Sequence, residues 1–280
     1  MHGASFGWQQ IARLVFSLGW SDFVLKYRGS FLGYLWSFLG PLARFFVIFY
    51  VFSPFVGSNI PHYPLYLFLG VILWEYFSGT TITCLQIPFE KSDLIHHVRF
   101  PRVILLLVAC WSRFLIFLTH FLIFVLFALS FGVSPSLHHV YIVVVLLQMS
   151  LFSIGVGALL SSFVLRYRDI AHLWEVFLQI LFWLTPIMYR YDLKEPFLTA
   201  FLQLPQKLSP PSFNSLLDAF VHFQPLSIML SDARRALLYG ESIGVPSWEH
   251  AAGLTAVSIL CCIVGVCLFR HRSRFFLEEY

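Results

Sequence analysis

Long runs of apolar residues, separated by short polar stretches, dominate the chain. A helix needs about 20 apolar residues to cross the hydrocarbon core of a bilayer. Five runs reach that length, and they cover residues 31–56, 64–86, 103–131, 140–165 and 250–269. A sixth run, residues 170–189, is shorter but ends in aromatic residues, as a segment anchored at the membrane interface does. The pattern predicts an all-α integral membrane protein with six transmembrane helices.

The composition supports this interpretation. Of the 280 residues, 59% are apolar and 11% are charged, whereas a soluble domain is about one quarter charged. A soluble domain of this length could not hide so much apolar surface in one core. The composition therefore excludes a soluble enzyme and a nucleic-acid-binding domain, and the net charge of +4 has to be interpreted by its position along the chain.

Lys and Arg residues predict the orientation, because short cytoplasmic loops are rich in them. If the N-terminus is cytoplasmic, the inner segments hold 11 of the 18 Lys and Arg residues. The short outer loops near 57–63 and 132–139 then hold none, and the long outer segment 190–249 holds five. An even number of spans returns the chain to the side where it began. We therefore expect both termini in the cytoplasm.

The N-terminal segment predicts a helix at the membrane surface. It lacks the basic start, compact apolar core and small-residue cleavage site of a signal peptide. Apolar residues recur at helical spacing between polar ones, at Trp8, Ile11, Ala12, Val15 and Leu18. This pattern favours an amphipathic helix lying flat on the bilayer. A soluble helix packed on a partner protein is the alternative, and both hold if the helix lies between lipid and a cytoplasmic protein.

The segment 190–249 is too polar to span the bilayer twice, and it contains six prolines. Two stretches between the prolines, 212–223 and 226–239, could form short amphipathic helices. A loop of this length between spans is more often functional than passive. We expect it either to cap the outer face or to re-enter the membrane, which requires surrounding protein or a water-filled cavity.

Charged residues inside the predicted spans are costly unless they are paired or hydrated. Arg44 lies about 13 residues from the inner end of the first span, and Glu75 lies about 11 residues from the outer end of the second. At about 1.5 Å per residue, both reach a similar depth near the middle of the membrane. The sequence thus predicts an Arg44–Glu75 pair, structural by preference; the alternative is that one of them faces an aqueous conduit and meets an anionic substrate. For Arg113 in the third span, Glu175 is the nearest candidate partner.

Motifs for chemistry are missing from the sequence. The five cysteines fall in or beside apolar runs without metal-ligand spacing, so no metal site is predicted. The G-x-x-x-x-G-K-[ST] phosphate cradle, the G-x-S-x-G elbow and the H-E-x-x-H motif are all lacking, so no catalytic residue is predicted. A transporter of this build would take its energy from an ion gradient or from another polypeptide.

Several sequence blocks resemble one known family. The stretch from Lys26 to Trp36 (KYRGSFLGYLW), followed by Pro41-Leu42, resembles the opening signature of type-2 ABC exporter permeases. In particular, it resembles the branch that exports O-antigen and teichoic-acid polysaccharides. Four later blocks agree in order, and they are Gly70–Trp74, Asp93–Arg102, Arg166–Ile170 with Thr185–Tyr189, and Gln224–Leu226 with Arg234-Arg235. Departures from the family pattern occur at Arg44, His96-His97, Leu106 and Gln224.

The resemblance implies an assembly of two permease copies and two ATP-binding cassette subunits in the cytoplasmic (inner) membrane. Residues 1–30 then form an interface helix against the ATPase, and residues 31–280 form the permease domain. The loop 88–101 corresponds to the coupling helix, with contact residues Leu94, Ile95, His96, His97, Phe100, Pro101 and Arg102. The segment 190–249 corresponds to re-entrant helices that gate the outer mouth. ATP and magnesium would bind to the partner subunit, and this chain would be a transport subunit without a cofactor of its own.

The family's substrate is a polysaccharide joined through pyrophosphate to a polyprenyl lipid. Aromatic rings stack on the C–H faces of sugars, and candidate conduit residues are Tyr34, Trp36, Phe38, Tyr50, Trp174, Phe182 and Trp183. Lys26 and Arg28 are candidates for the lipid pyrophosphate, since Arg matches phosphate geometry well. Their alternative role is that of basic anchors at the inner interface. Two other functions stay open: an ion-coupled secondary carrier and a membrane enzyme acting on polyprenyl phosphates.

Overall fold

The computed structural model describes residues 7–25, 33, 35–57, 60–90, 103–164, 166–189, 220–221, 223–239, 244 and 246–272. Every regular element within these ranges is a helix. The α-helices are α1 (Trp8–Leu25), α2 (Leu35–Val56), α3 (Tyr63–Glu90), α4 (Val103–Ser130), α5 (Ile142–Val164), α6 (Ile170–Leu184), α7 (Pro225–Leu238) and α8 (Trp248–Arg272). A 3₁₀ turn, Leu137–Tyr141, precedes α5. The predicted all-α fold is confirmed.

Five of the described helical segments are long and apolar enough to cross a membrane. They are Phe38–Val56, Tyr63–Phe89, Val103–Ser130, Leu137–Val164 and Trp248–Arg272. The chain is therefore a multi-pass membrane protein. Helix α6 has 15 residues, which at about 1.5 Å per residue give roughly 23 Å, less than the roughly 30 Å of the hydrocarbon core. The sixth span thus stays a prediction, and with it the side on which the C-terminus lies.

Helix α3 forms the centre of the bundle. It has no separate polar face, as expected for a helix enclosed by other helices, and it packs against α2, α4, α5, α6 and α7. The segment from Leu65 to Trp74 is buried throughout. The spans α2, α4 and α5 therefore lie around α3, whereas α8 packs mainly against α5.

Small residues set the closest helix crossing, between α5 and α8. A Cβ atom on Gly265 would lie 2.2 Å from the carbonyl oxygen of Gly155, so neither backbone leaves space for a side chain. Such small residues allow membrane helices to approach closely, which strengthens van der Waals contact. The Gln148 amide nitrogen donates to the carbonyl of Ala251 (3.1 Å) and to Oγ1 of Thr255 (2.9 Å). These bonds fix α8 against α5.

Helix α1 lies across one end of α4. A Cβ on Gly19 would be 2.6 Å from the Trp111 ring and 3.4 Å from the carbonyl oxygen of Val108. The rings of Phe16 and Trp111 also touch, with centroids 5.6 Å apart. Away from α4, the helix exposes Trp20 together with the polar Arg13. A mixed exposed surface of this kind suits the boundary between lipid and water.

Candidate functional site

Arg44 of α2 and Glu75 of α3 are joined across the two helices. Nη1 of Arg44 lies 2.5 Å from Oε1 of Glu75. The two side chains retain 45% and 28% of their exposure, so the pair lies at the surface of the bundle and not within its core. The sequence predicted this pair because the two charges lie at a similar depth in their spans. The structure shows the predicted contact. Whether the pair is structural or meets a substrate depends on whether it faces lipid, protein or water in the membrane.

A ring from α6 covers part of this ion pair. The guanidinium carbon of Arg44 lies 5.7 Å from the centroid of the Phe182 ring, within the range of a cation–π contact. Phe182 is itself almost buried and packs edge-on against Trp74 of α3, with centroids 5.4 Å apart. Helices α2, α3 and α6 therefore meet at the charged pair, and Phe182 is a packing residue in this arrangement.

The predicted conduit aromatics fall into two groups. Trp36, Tyr50 and Trp183 are exposed, and Tyr50 retains 85% of its accessible surface. Phe38 and Trp174 are half-buried and have partners within the chain. Phe38 lies 5.5 Å from the ring of His120, and the indole N–H of Trp174 donates to Oγ1 of Thr81 at 3.1 Å. The first group remains available to a ligand, whereas Phe38, Trp174 and Phe182 help hold the bundle together.

The exposed aromatics lie on the outward sides of two helices, α2 and α6, which we together call the open face. On α2, large apolar side chains face outward at Trp36, Val47 and Tyr50, whose spacing places them on one side of a helix. On α6, Ile180 and Trp183 also face outward. The rings of Phe52 and Trp183 approach to 6.3 Å and link the two helices. This open face is rich in rings, and the Arg44–Glu75 pair lies at its edge.

Residues 185–189 follow α6 as non-helical backbone that is largely buried. Such backbone is tolerated at membrane depth only where protein satisfies its polar groups. Arg234 of α7 meets this need, because Nη1 donates to the carbonyl of Pro186 at 2.6 Å and Nη2 to that of Ile187 at 2.8 Å. Its guanidinium carbon also lies 3.4 Å from the centroid of the Tyr66 ring.

Two tyrosines of α3 complete the set of donors. The Tyr63 hydroxyl donates to the carbonyl of Met188 at 3.1 Å, and the Tyr66 hydroxyl donates to the carbonyl of Tyr189 at 2.8 Å. Four successive carbonyls therefore receive a side-chain hydrogen bond. We call residues 185–189 the capped segment. Its contacts fasten the C-terminal end of α6 to α3 and α7.

The capped segment also brings together blocks that lie far apart in the sequence. The Gln224 amide donates to Oγ1 of Thr185 at 2.8 Å, just before α7 begins at Pro225. A Cβ on Gly70 would lie 2.6 Å from Nη2 of Arg234, so glycine makes room for the guanidinium. Sequence reasoning did not single out this cluster as a site. The sequence blocks that begin at Gly70, Thr185 and Gln224 contain these residues, but the sequence does not show that the three blocks are in contact.

A second buried contact joins α7 to α8. Oδ2 of Asp232 lies 3.2 Å from Nε2 of His250. Burial raises the pKa of the Asp232 carboxyl above its ordinary value, and the hydrogen bond from His250 opposes that rise in part. Nothing in the sequence pattern singled out either residue, since the pairing depends on how α7 and α8 pack.

Other predicted residues have a different outcome. Nε of Arg113 donates to Oγ1 of Thr83 at 2.7 Å, between α4 and α3, whereas the sequence proposed Glu175 as its nearest candidate partner. Several predicted site residues lie outside the described ranges, namely Lys26, Arg28 and Tyr34 and the coupling residues Leu94, Ile95, His96, His97, Phe100, Pro101 and Arg102. Of the outer segment 190–249, residues 190–219 also lie outside them.

Comparison with known proteins points to one family. A family model described as ABC-2 type transporter matches residues 13–210. A Myxococcus xanthus protein named O-antigen export system permease protein RfbA is 27% identical over 270 residues, which cover 96% of each chain. Two Klebsiella pneumoniae proteins of the same name are 25% and 24% identical over 258 residues, which cover 92% of this chain and 91% of theirs. The similarity thus extends across nearly the whole polypeptide.

Proposed function

The chain belongs to the ABC-2 type transporter family, and from this premise we propose that it exports a polysaccharide linked to polyprenyl pyrophosphate. As a member of this family it is a membrane subunit for transport. Relatives named for O-antigen export align over more than nine tenths of it. These names, taken with the ring-rich open face, favour a glycan as the cargo. The cargo class is an O-antigen or a related cell-surface glycan.

The open face of α2 and α6 carries the proposal. Its outward rings at Trp36, Tyr50 and Trp183 offer flat surfaces to the C–H faces of sugars. A sugar chain crossing lipid needs a surface that replaces water without holding the chain tightly, and stacked rings meet that need. The Arg44–Glu75 pair presents both charges at the edge of this face, where they would stay hydrated when the conduit is occupied.

Two copies of the chain would enclose the conduit. A membrane helix gains nothing from turning an ion pair toward lipid, because charged groups in lipid are costly. A second copy, with its own α2 and α6 facing the first, would cover both faces and leave a path between them. Each copy would thus be half of the conduit, and the working exporter would be a homodimer of permeases with two ATPase subunits.

Energy would come from the separate ATP-binding subunits. The sequence of this chain lacks the G-x-x-x-x-G-K-[ST] cradle for a nucleotide, and the loop 88–101 is the candidate coupling contact. Residues 1–30 would lie against the same subunit. This arrangement requires cytoplasmic loops at 88–101 and near 166–169, and therefore a chain in the cytoplasmic membrane with both termini inside. Lys26 and Arg28 would then lie where a lipid pyrophosphate arrives.

The test is the fate of lipid-linked glycan in the native host. Deleting the gene for this chain should abolish the surface glycan, and the lipid-linked form of the glycan should accumulate on the inner leaflet. Re-expression of the chain should restore export. Co-purification should yield an ATPase subunit, and export into membrane vesicles should stop with vanadate but continue with a protonophore. Export that stops with the protonophore alone would indicate an ion-coupled carrier. A purified chain that modifies polyprenyl phosphate by itself would indicate an enzyme.

A further inference from the structure

Helix α6 carries three exposed polar side chains on one side. They are His172, Glu175 and Gln179, and none of them has a hydrogen-bond or ion-pair partner among the residues that the structure describes. Successive residues of a helix are about 100° apart around its axis, so these three positions fall within about 60° of one another. We call them the polar sector of α6.

The polar sector lies between an exposed apolar side and the buried side of α6. Val176 and Ile180 follow it around the helix on the exposed side. On the other side comes Phe182, which is almost buried and has the Arg44 guanidinium carbon 5.7 Å from its ring centroid. The sector therefore adjoins the Arg44–Glu75 pair, where α6 approaches α2.

Lipid is an unfavourable environment for this sector. Polar and charged side chains on a membrane helix almost always face protein or a water-filled path, because they are costly in lipid. Helix α6 is otherwise apolar, and its exposed apolar residues Leu173, Val176, Phe177 and Ile180 lie together on a separate side that suits lipid. The polar sector thus turns away from that side, toward the conduit of the proposed exporter.

The side chains of the sector suit the hydroxyl groups of a sugar. A carboxylate accepts hydrogen bonds, and an amide both donates and accepts them. The exposed Trp183 ring, about 20° from His172 around the helix, adds a flat surface for the C–H face of a sugar ring. Carboxylate, amide and indole groups together thus form a surface for a carbohydrate.

The charges of the open face disfavour an anionic polymer. Glu175 contributes an exposed carboxylate. Arg44 is the only Lys or Arg within α2 and α6, and its charge is paired with that of Glu75. These two helices therefore leave no cation for a phosphate or carboxylate of the cargo, which Glu175 would repel because like charges repel.

We propose that the polar sector binds the hydroxyl groups of an uncharged sugar chain and that Glu175 selects against a polymer with a negative charge in every repeat. His172 and Gln179 donate to hydroxyl oxygens, and the Glu175 carboxylate accepts from hydroxyl groups. The pyrophosphate of the lipid passes this point once, whereas a charge in every repeat would meet Glu175 at each step of export. This assignment rests on the proposed export function, and it specifies which class of glycan the path admits.

The test compares a neutral and an anionic cargo in the native host, where the complete exporter is present. The anionic cargo is the lipid-linked glycan with a uronic acid in place of one neutral sugar in each repeat. Surface glycan per permease copy measures the export of each form. The wild type should export the anionic form about fivefold less than the neutral form, the effect of one like-charge contact in water.

Two variants change the charge of the sector in opposite directions. Glu175→Gln keeps the side-chain size and removes the charge, so the ratio of anionic to neutral export should rise about fivefold. Gln179→Glu adds a charge, and the ratio should fall by a similar factor. The matched control is Glu249→Gln, which removes an exposed carboxylate at the start of α8 and should keep the wild-type ratio.

A third variant tests the hydrogen bonds themselves. Gln179→Leu keeps a similar size but cannot bond to hydroxyls, so it should reduce export of both forms several-fold. The proposal is overturned if both charge variants keep the wild-type ratio, or if the native cargo carries a negative charge in every repeat. Dissociation of the permease dimer in these variants would also overturn it, since the sector would then contact the second copy.

Failure of the export function itself gives a different result. In that case, deletion of the gene leaves no accumulated lipid-linked glycan. If the glycan accumulates and the three sector variants export both cargoes like the wild type, the chain is an exporter whose polar sector does not select the cargo.

Discussion

Arg44 and Glu75 form an ion pair between α2 and α3, and both side chains remain partly exposed at the edge of the open face. A lone charge inside a bilayer is costly, and a partner of opposite sign reduces that cost. The cation–π contact from Phe182 adds a third helix to the arrangement. The pair therefore stabilises the junction of α2, α3 and α6, while both side chains remain partly exposed.

Replacing Glu75 by Gln should impair assembly of the chain. The change removes the negative charge and leaves the Arg44 guanidinium without its carboxylate at membrane depth. We expect less protein in the membrane and a lower thermal unfolding temperature of the purified chain. Fluorescence size-exclusion chromatography and thermal unfolding in detergent measure both effects.

A double-mutant cycle identifies the cause. Arg44→Gln with Glu75→Gln should lose less stability than the sum of the single changes, with a coupling energy of about 1 kcal/mol. Glu249→Gln, which removes an exposed carboxylate at the start of α8, is the control for charge loss alone. If the Glu75→Gln chain folds and exports normally, the pairing has no structural importance.

Gly70→Ala should destabilise the capped segment. The new Cβ would lie 2.6 Å from Nη2 of Arg234 and would displace the guanidinium from the carbonyls of Pro186 and Ile187. Crowding of this kind costs about 1–3 kcal/mol. The control is Gly40→Ala in α2, where nothing lies within 4 Å of a new Cβ, and that change should be neutral or slightly stabilising. Equal unfolding temperatures for the two variants would contradict the role assigned to Gly70.

The sequence predicted the long helices and the Arg44–Glu75 contact because both depend on length and depth along single helices. Runs of apolar residues give the spans directly, and the rise per residue gives the depth of each charge. The capped segment could not be found in this way. The side-chain hydrogen bonds to its carbonyls join residues 47 to 125 positions apart, and they depend on how α3, α6 and α7 pack. The residue types alone do not specify that packing.

The conduit aromatics show the same limit. Ring content marked α2 and α6 correctly as aromatic helices, but it could not separate the exposed Trp183 from its buried neighbour Phe182. That distinction depends on which side of α6 meets Trp74 of α3. The length of α6 likewise requires the structure, because the apolar run continues through the capped segment after the helix has ended.

Trp183→Ala should reduce export with only a small loss of stability. Its ring faces outward on the open face, and its internal ring contacts are with Phe52 and Phe182, at 6.3 and 5.7 Å. Tyr50→Ala should act in the same direction. The measurements are surface glycan per permease copy and the thermal unfolding temperature. Leu122→Ala provides the control, since Leu122 is exposed on α4 away from that face, and it should change neither quantity. Normal export by both aromatic variants would exclude the open face as the glycan path.

Arg28→Ala should weaken binding of the lipid-linked substrate. Arg28 lies outside the described residues, and its role is predicted from the basic stretch before the first span and from the match of guanidinium to pyrophosphate. The variant should insert normally while losing retention of polyprenyl pyrophosphate in a lipid-binding assay. Arg28→Lys, which keeps the charge, is the control for a purely topological role. If the alanine variant inserts normally and binds as well as the wild type, Arg28 is an anchor only.

Asp232→Asn should change how stability depends on pH. Burial raises the pKa of the folded Asp232 carboxyl. At pH values below the ordinary carboxyl pKa near 4, the Asp232 carboxyl is protonated in both the folded and the unfolded chain. As the pH rises further, the unfolded chain releases the proton first, so the wild type loses stability until the pH passes the folded pKa. The asparagine variant has no such proton to lose.

The difference in unfolding temperature between wild type and Asp232→Asn reports on Asp232 together with its partner His250, because carboxylates elsewhere contribute equally to both chains. As the pH rises from about 4, the unfolding temperature of the wild type should fall relative to that of Asp232→Asn. His250 supplies an internal check, since its hydrogen bond lowers the pKa of Asp232. His250→Leu removes that bond and should shift the change in stability to higher pH. A pH-independent difference between the first two chains would mean that Asp232 is hydrated in the membrane-bound protein, and the contact between α7 and α8 would then be more open than the packing around Asp232 indicates.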